Sequence, residues 1–147
     1  MKIIARNKLA NYNYFIEEKY EAGIKLLGSE IKSIRESKVS INEAYVTFSN
    51  NEAFITNMHI SKYKQANIYN HNETRRRKLL LHKREIISLF TKSREKGYSV
   101  IPIKLYIKDG LAKIEIGLSR GKKLHDKRED LKRKDQDMRM RKTIKGY

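Results

Sequence analysis

Histidine, cysteine and acidic side chains are the groups that could carry out catalysis or bind a metal ion, and their spacing argues against both. The four histidines, His59, His71, His82 and His125, lie at least 11 residues apart, and the chain contains no cysteine. Zinc sites draw on imidazole and thiolate ligands that are a few residues apart. The seven glycines fall at turns or inside strands and form no phosphate-binding loop. We therefore predict that the chain is not an enzyme and has neither a metal site nor a cofactor.

The chemistry that the sequence does favour is the binding of a polyanion. The net charge is +17 over 147 residues, and it is unevenly distributed. Residues 1–70 carry ten basic and seven acidic side chains, whereas residues 71–147 carry 24 and ten. A one-sided excess of positive charge is typical of proteins that bind phosphate-rich partners. A membrane surface is less favoured, because no helix pattern pairs a basic face with a broad apolar face.

The C-terminal segment, residues 119–147, holds 12 of the Lys/Arg side chains and five of the Asp/Glu side chains. Leu124, Leu131 and Met138 form an apolar stripe that is too narrow to pack a helix on a globular core. Acid-before-base pairs at i,i+4 spacing each contribute roughly 0.2–0.5 kcal/mol to a helix, which is too little to keep it folded in water. We predict a domain at residues 1–119 and a basic tail at residues 120–147, disordered when free and helical when bound.

The expected cellular compartment is inferred from two sequence signals that are missing, a signal peptide and a membrane span. The N-terminal residues contain no apolar stretch long enough for a signal peptide. No run approaches the roughly 20 apolar residues of a membrane span. We therefore expect a cytoplasmic protein without membrane contacts.

Alternating apolar and polar residues predict several strands. Tyr20 to Leu26 form one of them, and Gly23 inside it is expected to mark a bulge or a tight bend. Residues 44–58 predict a hairpin around a Ser-Asn-Asn-Glu turn. Residues 101–118 predict a second hairpin around Asp109-Gly110, a dipeptide typical of two-residue turns.

Helices and loops are predicted between these strands. Ser29 is expected to cap a short helix, and residues 82–96 predict a longer one that ends before Gly97. Pro102 indicates an edge position or a bulge. Residues 59–78 lack a clean period and predict a long loop, either functional or disordered. With no βαβ rhythm, the fold is mainly β: a small antiparallel barrel of the oligonucleotide-binding type (OB-fold-like) with two or three short helices.

Three segments carry motifs of a known family: Gly-Ser-Glu-Ile-Lys-Ser-Ile-Arg at 28–35, Arg-Lys-Leu-Leu-Leu-His-Lys-Arg-Glu at 77–85, and Gly-Lys-Lys-Leu-His-Asp-Lys-Arg at 121–128. They resemble the SsrA-binding protein family, also called small protein B, which acts with transfer-messenger RNA (tmRNA) in bacterial ribosome rescue. Asn7-Lys8 and residues 57–61 also fit. Together these segments follow the family order along nearly the whole chain.

The resemblance implies an adaptor whose barrel holds the tRNA-like domain of tmRNA. It implies that the tail enters the decoding centre and mRNA channel of a stalled ribosome during trans-translation. Elongation factor Tu and alanyl-tRNA synthetase would act on the same RNA, and the protein itself is expected to be a monomer that does not bind DNA.

The resemblance also assigns residues to two sets of contacts. The RNA contacts expected on the barrel are Asn7, Lys8, Glu30, Lys32, Arg35, Lys78, Leu80, His82, Lys83, Arg84, Lys122 and Lys123. The contacts expected from the tail to small-subunit rRNA and the mRNA channel are His125, Asp126, Lys127, Arg128, Met138 and Ile144.

Several of these residues could instead have a purely structural role in folding or packing. Glu30 could be a first-turn carboxylate that the helix dipole favours, and Leu80 could pack inside the barrel. Tyr12, Tyr14 and Tyr63 could stack on unpaired bases, although we favour core positions for them. The sequence departs from the family pattern at Tyr12 and in the loop before Arg77, where prolines are missing.

Two other functions fit parts of the pattern. A structural ribosomal protein, with a small basic barrel and an rRNA-threading tail, has the same composition. A metal-dependent nuclease would need clustered carboxylates or histidines, which the sequence lacks.

Overall fold

The computed structural model describes residues 1–123, 127–129 and 131–133. Of the predicted tail contacts, His125, Asp126, Met138 and Ile144 lie outside the described residues. Within the described part of the chain, no helix has the length and apolar character needed to cross a membrane.

Short helices and a 3₁₀ segment interrupt a series of strands. In chain order the elements are β1 (Lys2–Arg6), α1 (Ala10–Asn13), β2 (Tyr14–Ile24), α2 (Gly28–Arg35), β3 (Val39–Ser40), β4 (Tyr45–Ser49), β5 (Glu52–Thr56), β6 (His59–Ile60), the 3₁₀ segment (Lys64–Tyr69), β7 (Arg77–Leu80), α3 (Lys83–Ser93), β8 (Tyr98–Lys108) and β9 (Leu111–Gly121).

The strands form one large antiparallel sheet in the order β1-β8-β9-β2-β7-β5-β4, and β3 pairs with β6 in a separate small ladder. Strand β4, at one edge of the sheet, also lies against β8, which is next to the other edge. The sheet is therefore strongly curved and closes toward a barrel. The predicted mainly β, antiparallel fold with a few short helices is confirmed.

Both predicted hairpins are present, and their turns explain why. Asp109 and Gly110 join β8 to β9 with φ angles of 53° and 76°. Asn50 and Asn51 join β4 to β5 with φ angles of 51° and 62°. Positive φ at both central residues is the geometry that Asn-Gly-like and Asp-Gly sequences favour in hairpins.

Of the bulge or tight bend predicted at Gly23, the bulge is absent and the bend stays a prediction, whereas the bulge predicted at Pro102 is confirmed. Gly23 pairs in regular register with Leu80, and the bulge of β2 lies at residues 16–18 instead. What Gly23 provides is a close approach, because a Cβ there would lie 3.3 Å from the Leu80 Cβ. In β8 the register shifts between Pro102 and Lys104.

The two main helices begin close to the predicted positions. Helix α2 begins at Gly28, so Ser29 lies buried in its first turn and does not cap it as predicted. Helix α3 spans Lys83–Ser93, and Gly97 follows it with φ of 87°. Each helix covers the sheet with buried side chains, among them Ile34 of α2 and Leu89 of α3.

The segment 59–78 contains more regular structure than the long loop that we predicted. His59–Ile60 pair with β3, Lys64–Tyr69 form the 3₁₀ segment, and Arg77 begins β7. His71 is buried between these pieces: its Nε2–H donates to the Ile60 carbonyl oxygen (2.8 Å), and its Nδ1 lies 2.8 Å from the Ser29 hydroxyl. The loop is thereby attached to α2.

Part of the tail is described as well. Residues 127–129 and 131–133 are helical. Glu129 and Arg133 form one of the predicted i,i+4 ion pairs, at 3.8 Å between the Glu129 Oε2 and the Arg133 Nη2. The division into a barrel and a separate tail, with a tail that is disordered when free, stays a prediction.

Candidate nucleic-acid interface

A groove of about 660 Å³ lies where β7 passes into α3, and it collects several of the predicted RNA contacts. Strand alternation positions them, because Leu79 points into the core while Lys78 and Leu80 point outward. His82 and Lys83 follow at the start of α3, whose orphan amides lie at this end. The four predicted contacts that line the groove are Lys78, Leu80, His82 and Lys83.

The Leu80 side chain lies beside Gly23 and is 53% exposed. Leu80 therefore does not pack inside the barrel, which was the alternative interpretation. His82 is exposed at the N-cap of α3, and its backbone N–H donates to the Glu85 Oε1 at 3.1 Å. An exposed leucine between cationic neighbours offers an apolar contact for a ligand that also carries negative charge. Arg84 is exposed on the next position of the helix.

The groove is not uniformly basic. Glu21, Glu52 and Glu85 also line it, and the Lys78 Nζ lies 3.2 Å from the Glu52 Oε1. Both partners of that pair are partly exposed, so it contributes little to stability and can open for a phosphate. The groove therefore fits a polyanion that makes spaced contacts, with Lys83 in its lining and Arg84 exposed at the next position of α3.

Glu30, which we predicted to contact RNA, has a fully buried side chain. Its Oε1 accepts hydrogen bonds from the Arg75 Nη2 (2.6 Å) and the Leu27 backbone N–H (2.8 Å). Its Oε2 accepts from the Arg77 Nε, and the Arg77 side chain is fully buried too. No surface of Glu30 is available to a base, which corrects the direct contact that the resemblance implied.

The two buried charges hold each other in the ionised state. Burial by itself would raise the pKa of the Glu30 carboxyl, but the hydrogen bonds from Arg75, Leu27 and Arg77 outweigh it, so this pKa lies below its ordinary value. Burial lowers the pKa of the Arg77 guanidinium, and the Glu30 carboxylate opposes that shift. An arginine remains protonated in proteins, so the pair is an ion pair at neutral pH.

Arg77 also ties the loop to the sheet. Its Nη1 donates to the Met58 carbonyl oxygen at 2.7 Å, and its Nη2 donates to the carbonyl oxygens of Glu73 (3.2 Å) and Asn72 (3.4 Å). The Glu30–Arg77 pair therefore joins α2, the segment before β7, and the short connection between β5 and β6 at one point. Lys32 and Arg35 remain exposed on the outer side of α2, with the Lys32 Nζ 5.5 Å from the centre of the Tyr63 ring.

Asn7 and Lys8 lie elsewhere and have local partners. The Asn7 side-chain amide donates to the Pro102 carbonyl oxygen (3.0 Å), and the Lys8 backbone N–H donates to the Asn42 Oδ1 (3.3 Å). Asn7 thus stabilises the end of β1 against the bulge of β8. The Lys8 side chain is exposed, so its predicted RNA contact stays a prediction.

The junction between the barrel and the tail rests on aromatic rings. The Lys122 Nζ donates to the Asn11 carbonyl oxygen (2.6 Å) and lies 4.8 Å from the centre of the Phe15 ring. Farther along, the Lys127 Nζ lies 5.8 Å from the centre of the half-buried Tyr12 ring. Neither Tyr12 nor Tyr63 is a core residue as we favoured: both rings carry a lysine at the surface.

The groove and the start of the tail lie at opposite ends of one pair of strands. Strand β2 pairs with β9 from Tyr14 opposite Gly121 to Gly23 opposite Lys113. The groove is next to Gly23, and the tail leaves after Gly121. Nine residues of strand separate these ends, which is about 30 Å at the rise of an extended chain.

A model of the family described as "SmpB protein" matches residues 4–146. The chain belongs to the SmpB family. A protein of Shouchella clausii (strain KSM-K16) named "SsrA-binding protein" is 53% identical over 144 residues, covering 98% of this chain and 92% of the relative. A protein of the same name from Geobacter sulfurreducens is 51% identical, covering 98% and 94%.

A solved structure described as "tmRNA-SmpB: a journey to the center of the bacterial ribosome" contains a chain with the same fold. It is 41% identical, with a TM-score of 0.69, and the match covers 81% of this chain and 84% of that one. The identity and the TM-score together support the resemblance that the three sequence segments indicated.

The SmpB-type segment at residues 77–85 contains a residue whose role the sequence reasoning missed. From the sequence we assigned Arg77 no contact of its own, but its buried side chain pairs with Glu30. The period of two could have revealed it, because an outward Lys78 and an inward Leu79 place Arg77 on the inner face. What the sequence could not supply is the partner, 47 residues away.

The Glu30 network predicts a specific acid sensitivity. Because the folded pKa of Glu30 lies below the ordinary value of 4.5, its contribution is full above the unfolded pKa and is lost as pH falls through the folded one. We expect the free energy of unfolding of wild type to fall more steeply between about pH 5 and pH 3 than that of Glu30→Gln.

Urea unfolding at a series of pH values measures both curves. Glu18 and Glu21 also have lowered pKa values, through hydrogen bonds from Lys92 and Tyr106 respectively, and they remain in both proteins as a common background. Parallel pH profiles for wild type and Glu30→Gln would contradict the assigned role of Glu30.

Proposed function

We propose that this chain is the RNA-binding adaptor of trans-translation. It binds the tRNA-like domain of tmRNA and delivers that RNA to stalled ribosomes. The observation that carries this proposal is family membership over residues 4–146, with relatives named for SsrA binding. A structural neighbour described by its tmRNA and ribosome context adds support.

The barrel is proposed to hold the RNA at the groove between β7 and α3. Lys78, Lys83 and Arg84 neutralise phosphates, a contact that holds RNA without reading its sequence. Leu80 and His82 contribute apolar and polar contacts from the same exposed stretch. Lys32 and Arg35 extend the basic surface along α2, and no step of the proposal requires a covalent change in the RNA.

The tail is proposed to be the ribosomal element. Residues 120–147 would enter the decoding centre and the mRNA channel, with contacts from His125, Asp126, Lys127 and Arg128 and an apolar side formed by Met138 and Ile144. Lys122 and Lys123 would mark the junction. Elongation factor Tu and alanyl-tRNA synthetase are proposed to act on the same RNA, and the protein is proposed to work as a cytoplasmic monomer.

Replacing the charges of Lys83 and Arg84 should weaken RNA binding by electrostatics alone. For Lys83→Ala/Arg84→Ala we expect the slope of log K against log salt to fall by about 1.5, since each lost phosphate contact removes roughly 0.7–0.9. The charge-matched control is Lys2→Ala/Lys96→Ala, at exposed positions outside both the groove and the first turn of α3. Titration of labelled tmRNA at several salt concentrations measures both slopes. Equal slopes for the two variants would mean that the groove is not part of the RNA interface.

The adaptor can be separated from a structural ribosomal protein by what it captures in cells. Affinity purification followed by RNA sequencing should enrich tmRNA over total rRNA. Stoichiometric presence on all ribosomes, without tmRNA enrichment, would support the ribosomal-protein alternative instead.

A further inference from the structure

The tip of the segment between β6 and β7 presents two large apolar side chains to solvent. Ile68 is 87% exposed and Tyr69 is 83% exposed, more than any other large hydrophobic residue in the described ranges. The tip lies in the 3₁₀ segment, outside the residues that line the groove. Adjacent exposed apolar groups on a loop that is otherwise polar call for a binding explanation.

The tip is held in place by its own backbone contacts. The Asn70 side chain bonds to both backbone groups of Tyr63, accepting from the N–H (2.8 Å) and donating to the carbonyl oxygen (2.7 Å). Asn67, between them, has φ of 47° and ψ of −116°, a costly conformation that persists only where the surroundings determine it. Ile68 and Tyr69 are therefore presented by a closed, preformed turn.

The base of the turn is fixed to the folded domain. His71 directly follows the Asn70 clamp and is buried against Ser29 and the Ile60 carbonyl group. On the return strand, Arg75 and Arg77 bind the buried Glu30. Ordering this loop on binding would thus cost less conformational entropy than ordering a free one.

The charge around the tip favours an anionic partner. From residue 53 to residue 72 the sequence contains Lys62 and Lys64 and no Asp or Glu. The next acidic residue, Glu73, is bound to His59, with 2.7 Å between the Glu73 Oε2 and the His59 Nε2. Two exposed apolar groups among cations fit a nucleobase between phosphates better than they fit an apolar protein surface.

We infer that the Ile68–Tyr69 tip is a stacking site for an unpaired nucleobase of RNA. Tyr69 lies against the base, Ile68 covers an adjoining base or sugar, and Lys62 and Lys64 neutralise the flanking phosphates. This inference rests on the proposed function, because the RNA in question is the one that the barrel binds. It adds a second contact, of a different kind from the groove between β7 and α3, at residues that do not line that groove.

The test uses the full chain and labelled tmRNA. Tyr69→Ala should weaken binding roughly 5-fold to 100-fold, the range found when a stacked aromatic is removed. Tyr69→Phe, which keeps the ring, should bind within about twofold of wild type. The control, Leu111→Ala, removes a side chain that is 60% exposed in the β8–β9 hairpin and should leave binding unchanged.

Three further measurements test whether the effect is specific to stacking. The salt slope of Tyr69→Ala should equal that of wild type, because no charge is removed. Ultraviolet cross-linking followed by mass spectrometry should join Tyr69 to a base of tmRNA. The thermal midpoints of all three variants should match wild type, since each changed side chain is exposed.

The outcomes separate this inference from the proposed function. If wild type fails to bind tmRNA, both are overturned. If wild type binds and Tyr69→Ala binds equally well, only the stacking site is overturned. Loss of ribosome rescue in Tyr69→Ala with unchanged RNA affinity would mean that the tip contacts another partner, and would also overturn it.

Discussion

Replacement of Glu30 by alanine is expected to lower the free energy of unfolding by about 3–5 kcal/mol, the usual cost of removing one partner of a buried ion pair. The reason is the Arg77 guanidinium, whose side chain is fully buried and would lose its carboxylate partner. Its remaining bonds, to the carbonyl oxygens of Met58, Asn72 and Glu73, cannot neutralise it. Chemical denaturation followed by circular dichroism measures the loss.

Glu36→Ala is the matched control, because it removes a glutamate at the other end of α2. Glu36 forms an ion pair with Lys38 in which both side chains are about half exposed, and such pairs contribute about 0–1 kcal/mol. If Glu30→Ala were as stable as wild type and yet bound RNA more weakly, the assigned role of Glu30 as a buried ion-pair partner would be wrong. A direct contact between Glu30 and RNA would then be supported.

Deletion of residues 124–147 is expected to reduce ribosome rescue to background while tmRNA binding persists. The groove residues and Lys123 all precede the deletion, so the barrel contacts are retained. Within the deleted segment, Lys127 lies over the Tyr12 ring, a partly exposed contact that is small in energy. Tagging of peptides on stalled ribosomes measures rescue, and titration with labelled tmRNA measures binding.

The control for this deletion is a tail of scrambled sequence, which has the same composition and charge. If the scrambled tail restored rescue, the tail would act only as a source of positive charge.

Asp135→Pro tests the helix itself, because proline inside a helix costs about 3 kcal/mol. A tail that works as a helix should lose rescue in this variant, with an unchanged melting midpoint. Normal rescue by Asp135→Pro would mean that the tail works in an extended form.

The sequence predicted the parts of this fold that depend on near neighbours. The Asp109-Gly110 turn and the alternation on both sides of it were sufficient for the β8–β9 hairpin. The short helix at 28–35 and the longer one before Gly97 were also predicted closely. In each case the determining residues lie within one element or one turn of each other, so local propensity decides the result.

The errors concern partners that are distant in sequence. Gly23 is explained by its cross-strand neighbour Leu80, and the Glu30 carboxylate is explained by Arg77. A carboxylate in the first turn of a helix has the same local pattern whether it faces solvent or an arginine from another strand. The resemblance assigned Glu30 to the RNA surface, whereas the fold shows it buried against Arg77.

The β2–β9 ladder has a mechanical consequence. The tail continues directly from the end of β9, and β9 is hydrogen-bonded along its length to β2 on one side and β8 on the other. Tension applied to the tail along the strand would load those hydrogen bonds together in shear, rather than peeling them one at a time. The barrel can therefore act as a stiff anchor for a tail that is pulled, and transmit the displacement to whatever is bound about 30 Å away at the far end of the ladder.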